Sequence, residues 1–376
     1  MNKKKILIVT RNLPPLIGGM ERLNWHIADE LSHENEILLL SHKEAKNAAP
    51  QRCDFYGVRL NPLPLFLIVA FIKTFLICIV KKPDILFSGS GLTAPITVFW
   101  AKIFRKKSIV YIHGLDINND SAIYNKIWIP FIKYANSIIC NSIPTKQMSL
   151  NKGVKLDKIQ IIHPGVSYPA KEPNLALISQ IKKQYELKDK KILLSVGRLT
   201  DRKGLREFID YSLPQIIAKI PNTVLVIIGD TANNALNNKF QNMEDILSIA
   251  KKNNISNHLI FTGAVNEEIL SSFYYLADIH VFPVKYIPND PEGFGMVAIE
   301  AATHGTPTIA FTTGGIIDAV KNNESGYLIE AENYINLSAK ITEELSFKSN
   351  ISNESCQNFA QNFSWENMGK KLNQLI

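Results

Sequence analysis

The sequence predicts an α/β fold with doubly wound parallel sheets, built twice. Three observations carry this. Short β-branched apolar runs alternate with helical stretches, the pattern of β-α-β units rather than of hairpins. The alternation restarts near residue 191 after a polar, mixed stretch at 166–190. The chain has 376 residues, 46% hydrophobic and 20% charged, ample for two cores and ordinary for a globular protein.

In the first series, Lys5–Thr10 reads as a buried strand and 11–20 as a loop rich in proline and glycine. A helix from about Glu21 to Leu31 shows Leu23, Ile27, Ala28 and Leu31 on one face. Gly18 and Gly19 therefore lie between a strand and a helix N-terminus, where bare backbone can approach a phosphate. The spacing is not G-x-G-x-x-G, and a plain tight turn fits it as well. Further strands are expected at Asp84–Phe87, Ile109–Tyr111, Ser137–Asn141 and Ile159–His163. His113 follows the third strand-like run, at a carboxyl end where open α/β sheets bind ligands.

The second series runs through Lys191–Val196, Thr223–Ile228, His258–Thr262, 279–282 and 308–310. Arg198 and Lys203 stand in the loop after its first strand. A guanidinium forks onto phosphate oxygens and an ammonium acts as a point charge, so the pair suits a diphosphate; two solvated loop charges are the plain alternative. Thr312, Thr313, Gly314 and Gly315 form another polar strand-end loop.

The stretch D-P-E-G-F-G-M-V-A-I-E-A-A-T-H-G at 290–305 sets Glu292 and Glu300 eight residues apart. Its glycines predict a loop through about Gly293, a helix from Gly295 to His304 and a C-terminal cap at Gly305. The N–H groups of Phe294, Gly295, Met296 and Val297 would then form an anion site at a helix N-terminus. Two carboxylates flanking it suit a ligand with hydroxyls at both ends and phosphates between them.

Net charge is 42 − 34 = +8, and it is unevenly spread: residues 1–165 hold 22 Lys+Arg against 11 Asp+Glu, the remainder 20 against 23. An anionic substrate or an anionic membrane surface suits the basic half; no K/R run interleaved with aromatics suggests nucleic acid. Residues 61–80 are nearly all apolar, but two prolines open the run and Lys73 interrupts it. A buried or partly interfacial helix is expected there rather than a membrane span, with basic clusters at 81–82 and 105–107 beside it. Cys53, Cys78, Cys140 and Cys356 are scattered, with no C-x-x-C pair, which suggests neither zinc nor a disulfide framework and implies a reducing compartment. The short apolar run after Met1 reads as a strand, not a signal peptide.

The 290–305 stretch resembles the E-x7-E motif of retaining glycosyltransferases of family 4, which have the GT-B fold. G-R-L-x-x-x-K-G at 197–204, P-P-x-x-G-G-x-E-R at 14–22 and H-G-x-D at 113–116 are similar to other runs of that family. The resemblance implies two Rossmann-like domains, at 1–165 for the acceptor and 166–355 for the nucleotide-sugar. Residues 356–376 would cross back to the first domain, and the active site would lie in the interdomain cleft. It implies that Arg198 and Lys203 hold a diphosphate and that Glu300 accepts from ribose hydroxyls. Glu292 and the amides of Phe294, Gly295, Met296 and Val297 would hold the donor sugar. Gly18 and Gly19 would contact substrate, His113 would lie by the reacting centre, and Gly263, Ala264 and Val265 would face the base. Val-Lys-Tyr-Ile-Pro-Asn-Asp-Pro at 284–291 departs from the family's usual proline-serine ending and leaves the sugar end of the pocket open.

The implied reaction is retaining transfer from a UDP- or GDP-sugar to a glycan or polyprenyl-diphosphate-linked acceptor in the cytoplasm. No cofactor and, with no D-x-D run, no metal is expected. An epimerase on the same fold and a non-catalytic sugar-nucleotide-binding module are the alternatives.

Overall fold

The computed structural model describes residues 3–169, 173–230, 243–347 and 350–376. Of the expected linker at 166–190, residues 170–172 lie outside that set. The chain divides into two compact units: 1–165 with 289–294 and 363–376, and 166–288 with 295–362.

The first unit holds a seven-stranded parallel sheet. Its strands are β1 (Lys5–Val9), β2 (Glu36–His42), β3 (Cys53–Val58), β4 (Ile85–Ser88), β5 (Lys107–Ile112), β6 (Ser137–Cys140) and β7 (Ile159–Ile161). They run in the order β3-β2-β1-β4-β5-β6-β7. Ile6, Leu7, Ile8 and Val9 are fully buried, as befits a central parallel strand covered on both faces. The helices that matter below are α1 (Gly19–Ser32), α2 (Leu63–Lys81), α3 (Ala94–Ile103) and α4 (Ala122–Tyr134).

The second unit holds a six-stranded parallel sheet ordered β10-β9-β8-β11-β12-β13. Its strands are β8 (Lys191–Val196), β9 (Thr223–Ile228), β10 (Leu259–Gly263), β11 (Ile279–Phe282), β12 (Thr308–Phe311) and β13 (Gly326–Ile329). Strand order reverses between β1 and β4 in one sheet and between β8 and β11 in the other. Loops leaving these strands part to opposite faces there and open a crevice at the carboxyl ends. The sequence reading left three strands unmarked: β2, β3 and β13. The run Ile37–Leu40 in β2 is apolar enough to have been marked. β3 is a half-buried edge strand with Asp54 and Gly57 in it, and shows no clear period.

The C-terminal helix Trp365–Leu375 belongs to the first unit and packs on α1. His26 of α1 stacks flat on Trp365, ring centroids 3.9 Å apart. Burial, with Arg22 nearby, pushes the His26 imidazole down to about 4. In the second unit burial, with Lys203 nearby, pushes His280 down to about 3.

Both histidines fold neutral and protonate near 6.5 once unfolded, so below that value the unfolded chain binds more protons. Stability is therefore expected to fall as pH drops from about 6.5, progressively to about 4 for His26. Urea unfolding at pH 7 and pH 5 measures the loss. His26→Phe keeps a ring on Trp365 and removes the titration, so its loss over that interval should be smaller than that of the parent. Equal losses would show that His26 is not buried in the neutral form.

Candidate functional site

Four strand-end features of the first unit gather the residues singled out there. The loop after β1 carries Gly18 and Gly19 into α1, and Asn12 donates to Glu21 at 2.7 Å across its base. The loop after β4 carries Gly89, whose carbonyl accepts from Nε2 of His113 at 2.7 Å. That bond fixes the His113 tautomer with the proton on Nε2 and the lone pair on Nδ1. The third feature is the loop after β5, which carries His113 and Asp116; Asp116 ties it to the loop after β4, accepting from the N–H of Gly91 at 2.8 Å and of His113 at 2.9 Å.

The fourth feature is the segment 289–294, which belongs to the first unit. Asn289 donates to Asp120 at 2.6 Å. Gly293 lies against the His113 carbonyl and the Asn141 side chain: a Cβ there would clash with the former and meet Nδ2 of the latter at 2.8 Å. Glu292, one residue earlier, is thereby held beside the His113 strand end. Phe294 is buried and stacks on His163, centroids 5.2 Å apart, with Phe363 behind it at 5.7 Å. Its side chain fills the core, so any ligand contact from Phe294 comes from its backbone.

In the second unit, Gly295 takes a left-handed conformation, φ 96°, and caps the helix Met296–Thr303. The first-turn N–H groups of Met296 and Val297 have no intrahelical carbonyl to bond. The helix ends at His304, and Gly305 at φ 80° closes it as the sequence predicts. Glu300 is buried on this helix. Its Oε2 accepts from the hydroxyl of Tyr274 at 3.1 Å, and Tyr274 is itself buried against the His304 ring at 5.0 Å. One oxygen of Glu300 is thus aimed by the protein.

Arg198 and Lys203 sit in the loop after β8, at the reversal point of the second sheet. Arg198 is exposed. Nζ of Lys203 lies over the ring of Phe282, the last residue of β11, 4.6 Å from its centroid. The turn that carries Lys203 is clamped to the exit of β11. Lys285 donates from its backbone to the Arg202 carbonyl at 2.9 Å, and from Nζ to Asp201 at 2.9 Å and Glu207 at 2.7 Å. Burial alone would push the Lys285 ammonium down; the hydrogen bonds it donates to Asp201 and Glu207, with their negative charge, outweigh it and raise its pKa. Gly204 completes the turn at φ 67°, where a Cβ would clash with the Pro283 carbonyl. Gly263 ends β10 at φ 69° with open space beside it. Val265 is half-buried and packs on the hydrophobic core. Thr313 is spent on the Val284 carbonyl at 2.9 Å.

Lys285 and Tyr274 escape the sequence reading, and Asp116 enters it only as the last residue of the H-G-x-D run, with no partner assigned. The signal for Lys285 lay in the run that departs from the usual ending, read only as a departure. Among the described residues, no three His, Cys, Asp or Glu side chains converge to hold a metal ion.

Two family descriptions match the chain: "Glycosyltransferase Family 4" over residues 17–168 and "Glycosyl transferases group 1" over 178–363. An uncharacterized glycosyltransferase of Methanocaldococcus jannaschii is 26% identical, with 98% of this chain and 96% of the relative covered. A GDP-mannose-dependent phosphatidylinositol monomannoside mannosyltransferase of Mycolicibacterium smegmatis is 22% identical over 86% and 85%. Among solved structures, Anabaena Alr3699/HepE in complex with UDP superposes with a TM-score of 0.79 at 16% identity, covering 99% of both chains. That likeness shows the fold.

Docking of the 289–294 segment is testable. Gly293→Ala should cost about 1–3 kcal/mol through overpacking against His113, read as a lower urea midpoint. Gly263→Ala meets no neighbour and should cost only the left-handed backbone, about 1–2 kcal/mol. An unchanged midpoint for Gly293→Ala would mean that the segment does not rest on His113.

Proposed function

Because this chain belongs to the GT-B glycosyltransferases, we propose that it is a retaining enzyme, moving a sugar from a nucleotide-diphospho-sugar to a glycan or polyprenyl-diphosphate-linked acceptor. The observation that carries this reading is the cation pair Arg198 and Lys203 at the β8–β11 reversal point, on a turn that Lys285 holds rigid. The HepE structure supports a UDP-sugar as donor and the mycobacterial relative a GDP-sugar, and both remain within this proposal. The relative's lipid acceptor supports a lipid-linked acceptor here, in assembly of a cell-surface polysaccharide or glycolipid. Four free cysteines fit a reducing, cytoplasmic setting.

In this reading Arg198 and Lys203 bind the diphosphate. The bond from the anomeric carbon to the diphosphate oxygen breaks, and negative charge grows on that oxygen. The two cations and the first-turn amides of Met296 and Val297 stabilise it. The acceptor hydroxyl attacks from the face the diphosphate leaves, and its proton passes to the departing phosphate oxygen. Configuration is retained without a protein nucleophile. Glu300, aimed by Tyr274, accepts from the ribose hydroxyls. Glu292 and the backbone around Phe294 and Gly295 hold the sugar. His113 lies beside it with its Nδ1 lone pair, Gly18 and Gly19 meet substrate at the α1 terminus, and Val265 lies by the base. The two cations and the helix terminus do the electrostatic work that a bridging metal ion does elsewhere, so turnover is expected to persist in excess chelator; full loss restored by Mn²⁺ or Mg²⁺ would contradict this.

Steady-state kinetics separates the roles. Arg198→Ala and Lys203→Ala should lower kcat by roughly 10²–10³ with smaller effects on donor KM, because charge on the leaving oxygen develops in the transition state. Glu300→Ala and, more weakly, Tyr274→Phe should act on donor KM, because ribose contacts are alike in ground and transition states. A kcat near that of the parent in Arg198→Ala and Lys203→Ala would make these residues ordinary loop charges. Isomerised donor formed without acceptor would identify an epimerase instead.

A further inference from the structure

Helix α2 is apolar on two opposite faces. Phe66, Ala70, Thr74 and Ile77 are buried in the core beneath it. On the far side Ile68, Ile72 and Leu76 follow at intervals of four and are each more than half exposed. Its one interior charge is turned aside, since Lys73 donates to the Gly57 carbonyl at 2.6 Å. The chain steps from β3 to β4, β5 and β6 in one direction across the sheet, so right-handed crossovers lay α2, α3 and α4 side by side on one face. α2 packs on α3 and α3 on α4, with Trp100 between Phe71 and Phe75, its ring 4.8 Å from each. The outward apolar row continues with Phe99 and Ile103 of α3 and Ile123 and Ile127 of α4.

Charge on this layer has one sign. The three helices contain no Asp or Glu; α2 carries Lys73 and Lys81, α3 carries Lys102, and α4 carries Lys126 and Lys133. Lys82 and Arg105 follow the ends of α2 and α3. Exposed apolar area of this extent marks an interaction surface. A second copy of the chain would set lysines against lysines across a two-fold axis; Asp54 of β3, the acid that meets Lys81, is already paired with it at 3.8 Å. A transmembrane course for α2 is incompatible with its buried stripe, which is part of the sheet's core.

We propose that the outer face of α2, α3 and α4 docks flat on an anionic lipid bilayer, with the isoleucines and Phe99 below the headgroups and the basic side chains among them. This goes beyond the assignment of glycosyl transfer and does not depend on it. Only the first unit takes part.

Co-sedimentation of the full chain with vesicles tests it. Binding is expected to vesicles of mixed phosphatidylcholine and phosphatidylglycerol, to weaken with salt, and to be far weaker on phosphatidylcholine alone. Ile72→Asp with Leu76→Asp should reduce partitioning at least roughly tenfold, since both charges fall where the helix enters the acyl boundary. Lys102→Ala with Arg105→Ala should lose roughly fivefold per charge removed. Circular dichroism and the thermal midpoint check that these surface variants fold. No partitioning of the parent, or binding equal on both vesicle types and indifferent to salt, overturns the proposal. So does a dimer in sedimentation velocity that Ile72→Asp with Leu76→Asp dissolves, which would make the face a homotypic interface.

Discussion

The bare backbone of Gly293 against the carbonyl of His113 is the contact on which the site depends. It fastens residues 289–294 to the first unit, although the strands on either side in sequence, β11 and β12, belong to the second. Phe294 seals the attachment between His163 and Phe363. At the next residue Gly295 turns left-handed and starts the helix that carries Glu300. The two carboxylates of one short motif are thus positioned by different units: Glu292 by the strand ends of the first sheet, Glu300 by Tyr274 in the second. A side chain at position 293 would displace the segment from the His113 carbonyl.

The second sheet handles charge in a matching way. Lys285 is paired with both Asp201 and Glu207 and so clamps the turn to the exit of β11. Lys203, two residues beyond Asp201 in the same turn, is set against the Phe282 ring, and Arg198 stands exposed ahead of it. His280 beneath is held neutral by burial. In the proposed reaction such a clamp would matter, because a charge that must reorganise as the bond breaks stabilises little.

Much of this was legible in the sequence, for definable reasons. The central strands are buried on both faces, and runs such as Ile6–Val9 or Val224–Ile228 show it without a partner. Gly295 and Gly305 bound the Glu300 helix because few other residues take their backbone angles. The cations after β8 were visible as a motif. What was hidden depends on partners far away in the chain. Tyr274 reads as a core aromatic until Glu300 is seen 26 residues later, accepting its hydroxyl. Lys285 reads as a solvated charge until Asp201 is placed beside it, 84 residues earlier. Phe294 reads as part of a binding loop, and only packing shows its ring in the core. The outward stripe of α2 was blurred for the opposite reason: a helix apolar on two faces has no strong period to read.

The central claim is that a sugar leaves a nucleoside diphosphate and joins an acceptor on the same face of its ring. Proton NMR of the first-formed product, recorded with a donor and acceptor that the enzyme turns over, tests this most directly. The account predicts a glycoside with the anomeric configuration of the donor and release of nucleoside diphosphate only when acceptor is present. An inverted anomer would contradict it.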